Sequence, residues 1–230
     1  MNAGKLLLSW SSGKDSAWAL HVLRNCAEHE IVGLFTTFNT TFDRVAMHGV
    51  RRELAEAQAR AVGLPLHRIS LPHPCSDADY ARIMGGFVGA AHTQGVTHMA
   101  FGDLFLADIR AYREKNLAGS GITPVFPLWG ADTSALAHEM TAAGLRAVLT
   151  AVDPTRLPHE FAGQAFDDSL LQRLPAGVDP CGENGEFHTF CHAGPMFDQP
   201  IPLRPGEIVE RDGFVFADLE LDNPRRRPHA

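Results

Sequence analysis

Apolar runs of strand length alternate with segments of helical period from the start of this chain: Lys5–Trp10, then Asp15–Ala27, Ile31–Phe38, Val50–Val62 and Leu66–Leu71. That rhythm restricts the fold, because parallel neighbours need crossovers long enough to hold a helix, and the helices then cover both sheet faces. It continues through a helix over Ser76–Gln94, a strand over Thr97–Gly102 and a polar helix over Asp108–Leu117. A strand near Ile122–Phe126, a helix over Thr133–Ala143 and a strand over Leu145–Val152 complete the series. The expectation is an α/β fold built on a parallel sheet. After Asp153-Pro154 the pattern changes to one short helix, Asp167–Leu174, a Gly/Pro-rich loop and a hairpin turning at Asp212-Gly213. The chain is therefore expected to divide into residues 1–153 and a smaller α+β subdomain, 154–230.

Charge narrows the function. A formal charge of −7 opposes a broad grip on nucleic acid, which draws its affinity from Lys and Arg neutralising phosphates. The one basic run, Arg225-Arg226-Arg227, stands between prolines at the C-terminus and reads as a solvated tail. No apolar run approaches the ~18–20 residues that span a bilayer, and Met1–Lys5 lacks the features of a signal peptide, so the cytoplasm is the expected compartment. In that compartment Cys26, Cys75, Cys181 and Cys191 are expected to be reduced.

The most informative stretch is Ser11-Ser12-Gly13-Lys14-Asp15-Ser16, between the first strand and the first helix. At such a turn the unpaired N–H groups of the helix start converge, and the helix dipole favours an anion there by roughly 0.3–1 kcal/mol. Gly13 allows close backbone approach, Ser11, Ser12 and Ser16 add hydroxyls, and Lys14 adds positive charge. Asp15 is suited to holding Mg²⁺ against bound phosphates. A Walker-type loop would need Gly where Leu8 stands and Ser or Thr where Asp15 stands, so the usual inference to cleavage between the β- and γ-phosphates does not apply.

The segment instead resembles the pyrophosphate loop, Ser-x-Gly-x-Asp-Ser, of the N-type ATP pyrophosphatases. Further blocks are Phe101-Gly102-Asp103, Asp108-Ile109-Arg110-Ala111-Tyr112-Arg113-Glu114, Pro127-Leu128-Trp129 and Gly182-Glu183-Asn184-Gly185-Glu186-Phe187-His188-Thr189. Taken in this order over nearly the whole chain, they resemble the diphthine-ammonia ligase family. The resemblance implies a HUP/Rossmann-like PP-loop ATPase domain that uses ATP, Mg²⁺ and ammonia to turn a small-molecule or protein-borne carboxylate into an amide, giving AMP and pyrophosphate. The diphthine-modifying enzymes carry Glu-Gly-Gly-Glu-(Tyr/Phe)-Glu-Thr in the last block; Asn184 and His188 here replace a Gly and a Glu. The variant resembles the family's bacterial branch, for which a role in corrinoid salvage has been suggested, so a corrinoid acid stands beside diphthine as the implied substrate.

The residues can then be given expected roles. Lys14, Asp15, Asp103 and Glu186 are the candidate catalytic set. The nucleotide set adds Ser11, Ser12, Gly13, Ser16 and Gly102, together with Thr37 and Phe38 at the end of the second strand, where relatives hold adenine through backbone groups. His48 is read either as a nucleotide contact or as a cap of the next helix. Asp103 ends a strand, where ligands of open α/β sheets gather. Asp108, Arg110, Arg113 and Glu114 crowd two turns of one helix, with Asp108 and Tyr112 on one face and Arg110 and Glu114 on another, which fits a substrate-facing surface or an ordinary salt-bridged one. Glu183, Asn184, Glu186, His188 and Thr189 fall in a Gly-punctuated loop, where polar side chains tend to serve binding. Cys181, His188, Cys191 and His192 offer zinc-type donors, but their spacing fits no compact structural zinc pattern.

Two rival readings remain: an adenylating tRNA-modification enzyme, which usually shows the added Cys pairs or basic surface missing here, and a nucleotide-binding module without turnover. No cysteine follows Met1 to act as a glutaminase nucleophile, so free ammonia, or ammonia from a separate partner, is expected. A homodimer is compatible with the sequence.

Overall fold

A computed structural model describes residues 3–45 and 49–222 of the chain. His48 and Arg225–Arg227 lie outside the described residues. The elements run β1 (Gly4–Ser9), α1 (Lys14–Cys26), β2 (His29–Asn39), β3 (Arg44–Val45), α2 (Arg52–Ala61), β4 (Leu66–Leu71), α3 (Asp77–Thr93), β5 (Val96–Ala100) and α4 (Ala107–Leu117). They continue with β6 (Thr123–Val125), α5 (Thr133–Ala142), β7 (Arg146–Val152), β8 (Ala165–Phe166), α6 (Asp168–Arg173), β9 (Phe187–Ala193), β10 (Leu203–Arg211) and β11 (Phe214–Leu221).

The first sheet is parallel apart from β3, which runs antiparallel to the far end of β2. Leu34 and Phe35 of β2 pair with both β1 and β4, so these two flank it and the parallel order is β4-β2-β1-β5-β6. The chain reverses its direction of travel across the sheet between β1 and β5. In sheets of this kind the crevice beyond the carboxyl ends of those two strands is where ligands bind. Alternation along β1 separates two cores: Leu6 and Leu8 pack with Trp18 and Leu20 of α1, whereas Leu7 packs with Val88 and Ala91 of α3 and Leu117 of α4.

One expected strand joins a different sheet. Arg146–Val152 does not extend the parallel sheet; it is the centre of a second, antiparallel one, paired with β9 along its length and with β8 and β11. The run Ala147–Val152 is apolar at nearly every position, so its pattern reads the same in a parallel or an antiparallel core, and the helix before it mimics a crossover. The core behind Leu6 and Leu8 also takes in Leu149, Phe187, Cys191 and Val215 of the second sheet, which places α1 between the sheets. The hairpin β10–β11 turns at Asp212 (φ 53°) and Gly213 (φ 81°), as two-residue hairpins require. Among the described residues no helix is long and apolar enough to cross a membrane.

Candidate functional site

The crevice between β1 and β5 contains a cleft of about 270 Å³, lined by Ser11, Gly13, Lys14, Asp15, Ser16, Gly102, Asp103, Arg113, Glu183, His188 and Thr189 among others. Its floor is the loop into α1. Ser12 bends the chain with φ 72°, a conformation costly for a residue with a side chain, and the surrounding structure fixes it there. Its carbonyl accepts the Cys191 N–H (2.9 Å) and the Gln58 Nε2–H (2.9 Å). Gln58 also donates to the Cys191 carbonyl (2.6 Å) and accepts the Trp10 Nε1–H (2.8 Å), and Thr189 Oγ1 accepts the Lys14 N–H (3.0 Å). Two buried polar atoms of the loop have no partner, Ser12 Oγ and Asp15 Oδ1. A bound phosphate or a phosphate-bound metal is the kind of group that would complete such atoms.

Lys14 is buried, its Nζ donating to Asp15 Oδ2 (2.9 Å) and to the Cys181 carbonyl, with the rings of Phe187 and Phe166 at 5.3 and 5.5 Å. Burial works against its charge, but the Asp15 carboxylate, assisted by Glu183, holds the ammonium above its ordinary pKa. Gly102 lies against the same helix start: a Cβ there would meet Asp15 C and O at 3.1 Å and Ser16 N at 3.2 Å. A side chain at this position would push β5 off the loop.

Three acidic groups face one another across the cleft. Burial raises the Asp103 carboxyl, partly offset by Arg113, whose Nε stands 3.4 Å from Oδ2. Burial also pushes Glu183 up to about 7; its hydrogen bond from the Leu104 N–H (2.8 Å) opposes the rise, and Asp15 and Asp103 add to it. His188 goes the other way, driven down to about 4 by burial and by Lys14, so it is neutral at neutral pH.

The remaining expected residues are distributed unevenly. Thr189 and His188 belong to strand β9 rather than to a loop, and both line the cleft. Glu186 is fully buried and turned into its own loop: Oε1 accepts the Asp179 N–H (3.1 Å) and the Asn184 side-chain N–H (3.1 Å), with Arg156 at 3.6 Å. Glu186 and Asn184 therefore shape the 179–187 loop and are not part of the cleft wall. Leu106, just before α4, and Ile109 and Arg113 on it line the cleft. Asp108 and Tyr112 are exposed, and Arg110 pairs with Glu114 (2.8 Å) and lies over Phe126 and Trp129, each at 4.8 Å. Thr37 and Phe38 end β2 but do not line this cleft, Phe38 being buried in a separate core with Leu54 and Phe190.

Sequence reasoning missed Gln58, and it counted Arg113 among the charged residues of α4 without giving it a site role. Gln58 left a signal, because it is a polar residue on the buried Leu54-Ala55-Ala59 stripe of α2. Arg113 left none that separates it from Arg110. The zinc-type donors do not assemble: Cys181 Sγ lies against the Thr133 carbonyl (3.4 Å) and Cys191 Sγ against that of Ala193 (3.6 Å). Among the described residues no group of three or more His, Cys, Asp or Glu is placed to hold a metal. Burial pushes the Cys181 thiol up to about 12 and raises Cys191 as well, and all four cysteines are free.

Comparison with known proteins agrees with this architecture. Residues 4–123 match the model of the diphthamide synthase N-terminal domain, and residues 132–218 match that of the diphthamide synthase C-terminal domain. The diphthine–ammonia ligase of Danio rerio is 28% identical over 234 residues, covering 91% of this chain and 90% of that protein. The Homo sapiens protein of the same name is 25% identical, with coverages of 91% and 86%. That of Schizosaccharomyces pombe is 24% identical over 97% of this chain but 41% of its own length.

Proposed function

This chain belongs to the diphthamide synthase family, and from that premise we propose that it is an ATP-dependent ligase that adenylates a carboxylate and joins it to ammonia, releasing AMP and pyrophosphate. The observation that carries the reading is the Ser11–Ser16 loop, bent at Ser12 into the start of α1 and facing Asp103, Arg113 and Glu183 across the cleft. In the first step a carboxylate oxygen attacks the α-phosphorus, and the bond to the β-phosphate breaks. Charge grows on the departing pyrophosphate, where the N–H groups of the helix start, the Ser11 and Ser16 hydroxyls and Lys14 are gathered. Asp15, with its buried unpartnered Oδ1, is the residue suited to hold Mg²⁺, which when bound would neutralise phosphate charge. The acyl-adenylate must then meet ammonia before water, which a recessed cleft favours.

We assign nucleotide binding to the segment expected over residues 1–153 and acceptor binding largely to 154–230, with Glu183, His188 and Thr189 facing the acceptor. His188, neutral, stands where the signature of the diphthine-modifying enzymes carries a Glu, so the cleft offers less negative charge to a cationic acceptor such as diphthine. A corrinoid acid is therefore the acceptor we favour.

The test uses α-labelled ATP, Mg²⁺ and ammonium, with corrinoid acids or a diphthine-bearing elongation factor as acceptor. Acceptor-dependent AMP is expected, falling by at least about 100-fold in Asp15→Ala. Formation of ADP, or no turnover with either acceptor, would sink the reading.

A further inference from the structure

We propose that Glu183 is the general base of amide formation, taking the proton that the nitrogen gives up as ammonia attacks the acyl-adenylate. This rests on the ligase reading above and assigns a residue to its second step.

The step needs a proton acceptor at the cleft wall, and the cleft supplies only a few groups of that kind. From α1 come Lys14, whose ammonium is kept charged, and Asp15, which is bound to Lys14 at 2.9 Å. Asp103, after β5, is paired with Arg113 of α4, and a guanidinium does not act as a base at neutral pH. His188 of β9 is pushed down to about 4, so it binds a proton poorly near neutrality, and Cys181 is a thiol with its pKa pushed up to about 12. Glu183 is left. The Leu104 N–H fixes its Oε1 at 2.8 Å, and of the three cleft carboxylates Glu183 is the one that forms no ion pair among the described residues. Burial, with the nearby charges of Asp15 and Asp103, pushes it up to about 7, where general bases work best at neutral pH.

The reaction balances as follows. The nitrogen lone pair forms the C–N bond at the acyl carbon. The C–O bond to AMP breaks, and AMP leaves with that electron pair. One N–H proton of the adduct passes to the Glu183 carboxylate, which later releases it to water. Ammonia and acyl-adenylate thus become amide, AMP and one proton.

The test compares wild type with Glu183→Gln, which keeps an oxygen for the Leu104 N–H, and with Glu183→Asp, using whichever acceptor turns over. Three rates are measured: acceptor-dependent exchange of labelled pyrophosphate into ATP, amide formation from ammonium, and hydroxamate formation from hydroxylamine, a stronger nucleophile already unprotonated at neutral pH. In Glu183→Gln, amide formation should fall at least about 100-fold, at least about 10-fold more than exchange falls, and hydroxylamine should restore product. Referred to free ammonia, the wild-type amide rate should fall as pH drops through about 7, that fall should be absent in Glu183→Gln, and Glu183→Asp should recover part of the rate. Unchanged amide formation would overturn the assignment. So would an equal fall in exchange and amide formation, which would make Glu183 a binding residue. Absence of exchange in the wild type with every acceptor is a different result, because it removes the ligase reading itself.

Discussion

Two networks of acidic and basic side chains, built from the same residue types, are displaced in opposite directions. In the cleft, burial outweighs partnering, and Asp103 and Glu183 both bind protons more tightly than free carboxylates do. Where the second sheet meets α2, partnering outweighs burial. Asp218 accepts from Arg44 (2.8 Å) and from Arg51 (2.5 Å), and Glu220 accepts from Arg51 (3.2 Å) and from Arg204. Partial burial pushes Asp218 up, but hydrogen bonds from Arg51 and Arg44 outweigh it and hold the carboxyl at about 2. Glu220 is lowered through Arg204. The difference separates charge that holds the fold together from charge left under-compensated for a ligand or a proton.

Among substitutions that set the two networks against each other, Gly102→Ala should have the largest effect and should touch only the cleft. The added Cβ presses on Asp15 and Ser16 backbone atoms 3.1–3.2 Å away, so the loop must move by a few tenths of an ångström. AMP formation should drop roughly 10- to 100-fold, about 1.4–2.7 kcal/mol, with the urea midpoint nearly unchanged. Equal losses of activity and stability would erase the distinction between the two networks.

Asp218→Asn should do the reverse, leaving turnover within about 2-fold and lowering stability by about 1–2 kcal/mol at pH 7, discounted for partial exposure. The sign follows from a folded pKa below the unfolded one. The contribution is complete above the ordinary value of 3.8 and is lost as pH falls toward about 2, so the gap between wild type and variant should close across that window in urea titrations. A gap that persists at pH 2 would mean that packing, not charge, was lost.

The smallest effect is expected from Arg110→Ala. Its guanidinium lies over Phe126 and Trp129 outside the cleft, so stability should fall by under about 1 kcal/mol and the KM for ATP and acceptor should hold within about 2-fold. A KM rise above about 10-fold would bring this face of α4 into the acceptor site.

The sequence was legible where local chemistry decides structure. β4 spans the same Leu66–Leu71 that periodicity predicts, and the Asp212-Gly213 turn leaves few alternatives. The turn at Ser11–Gly13 was readable because an apolar strand, a Ser/Gly turn and a helical period stand in sequence. What could not be read depended on distant partners. Nothing local tells Arg113 from Arg110, three residues before it on the same helix, since only the fold decides which one faces Asp103. Glu186 drew attention as a charged residue in a Gly-punctuated loop, yet its partners are the Asp179 N–H and Asn184, an arrangement that appears only once the loop has folded back. The sheet membership of β7 was hidden for the same reason, because its partner β9 follows after a long intervening stretch.

The way Thr189 and Gln58 fasten the loop bears on how the protein is made. Lys14 takes its backbone acceptor from a residue 175 positions later, and Gln58 reaches 133 positions ahead to Cys191. Translation delivers the Ser11–Ser16 segment well before Thr189 and Cys191, so a chain made only through the first sheet carries the turn without the frame that aims it. The shape of this turn is therefore settled only once β9 has been made.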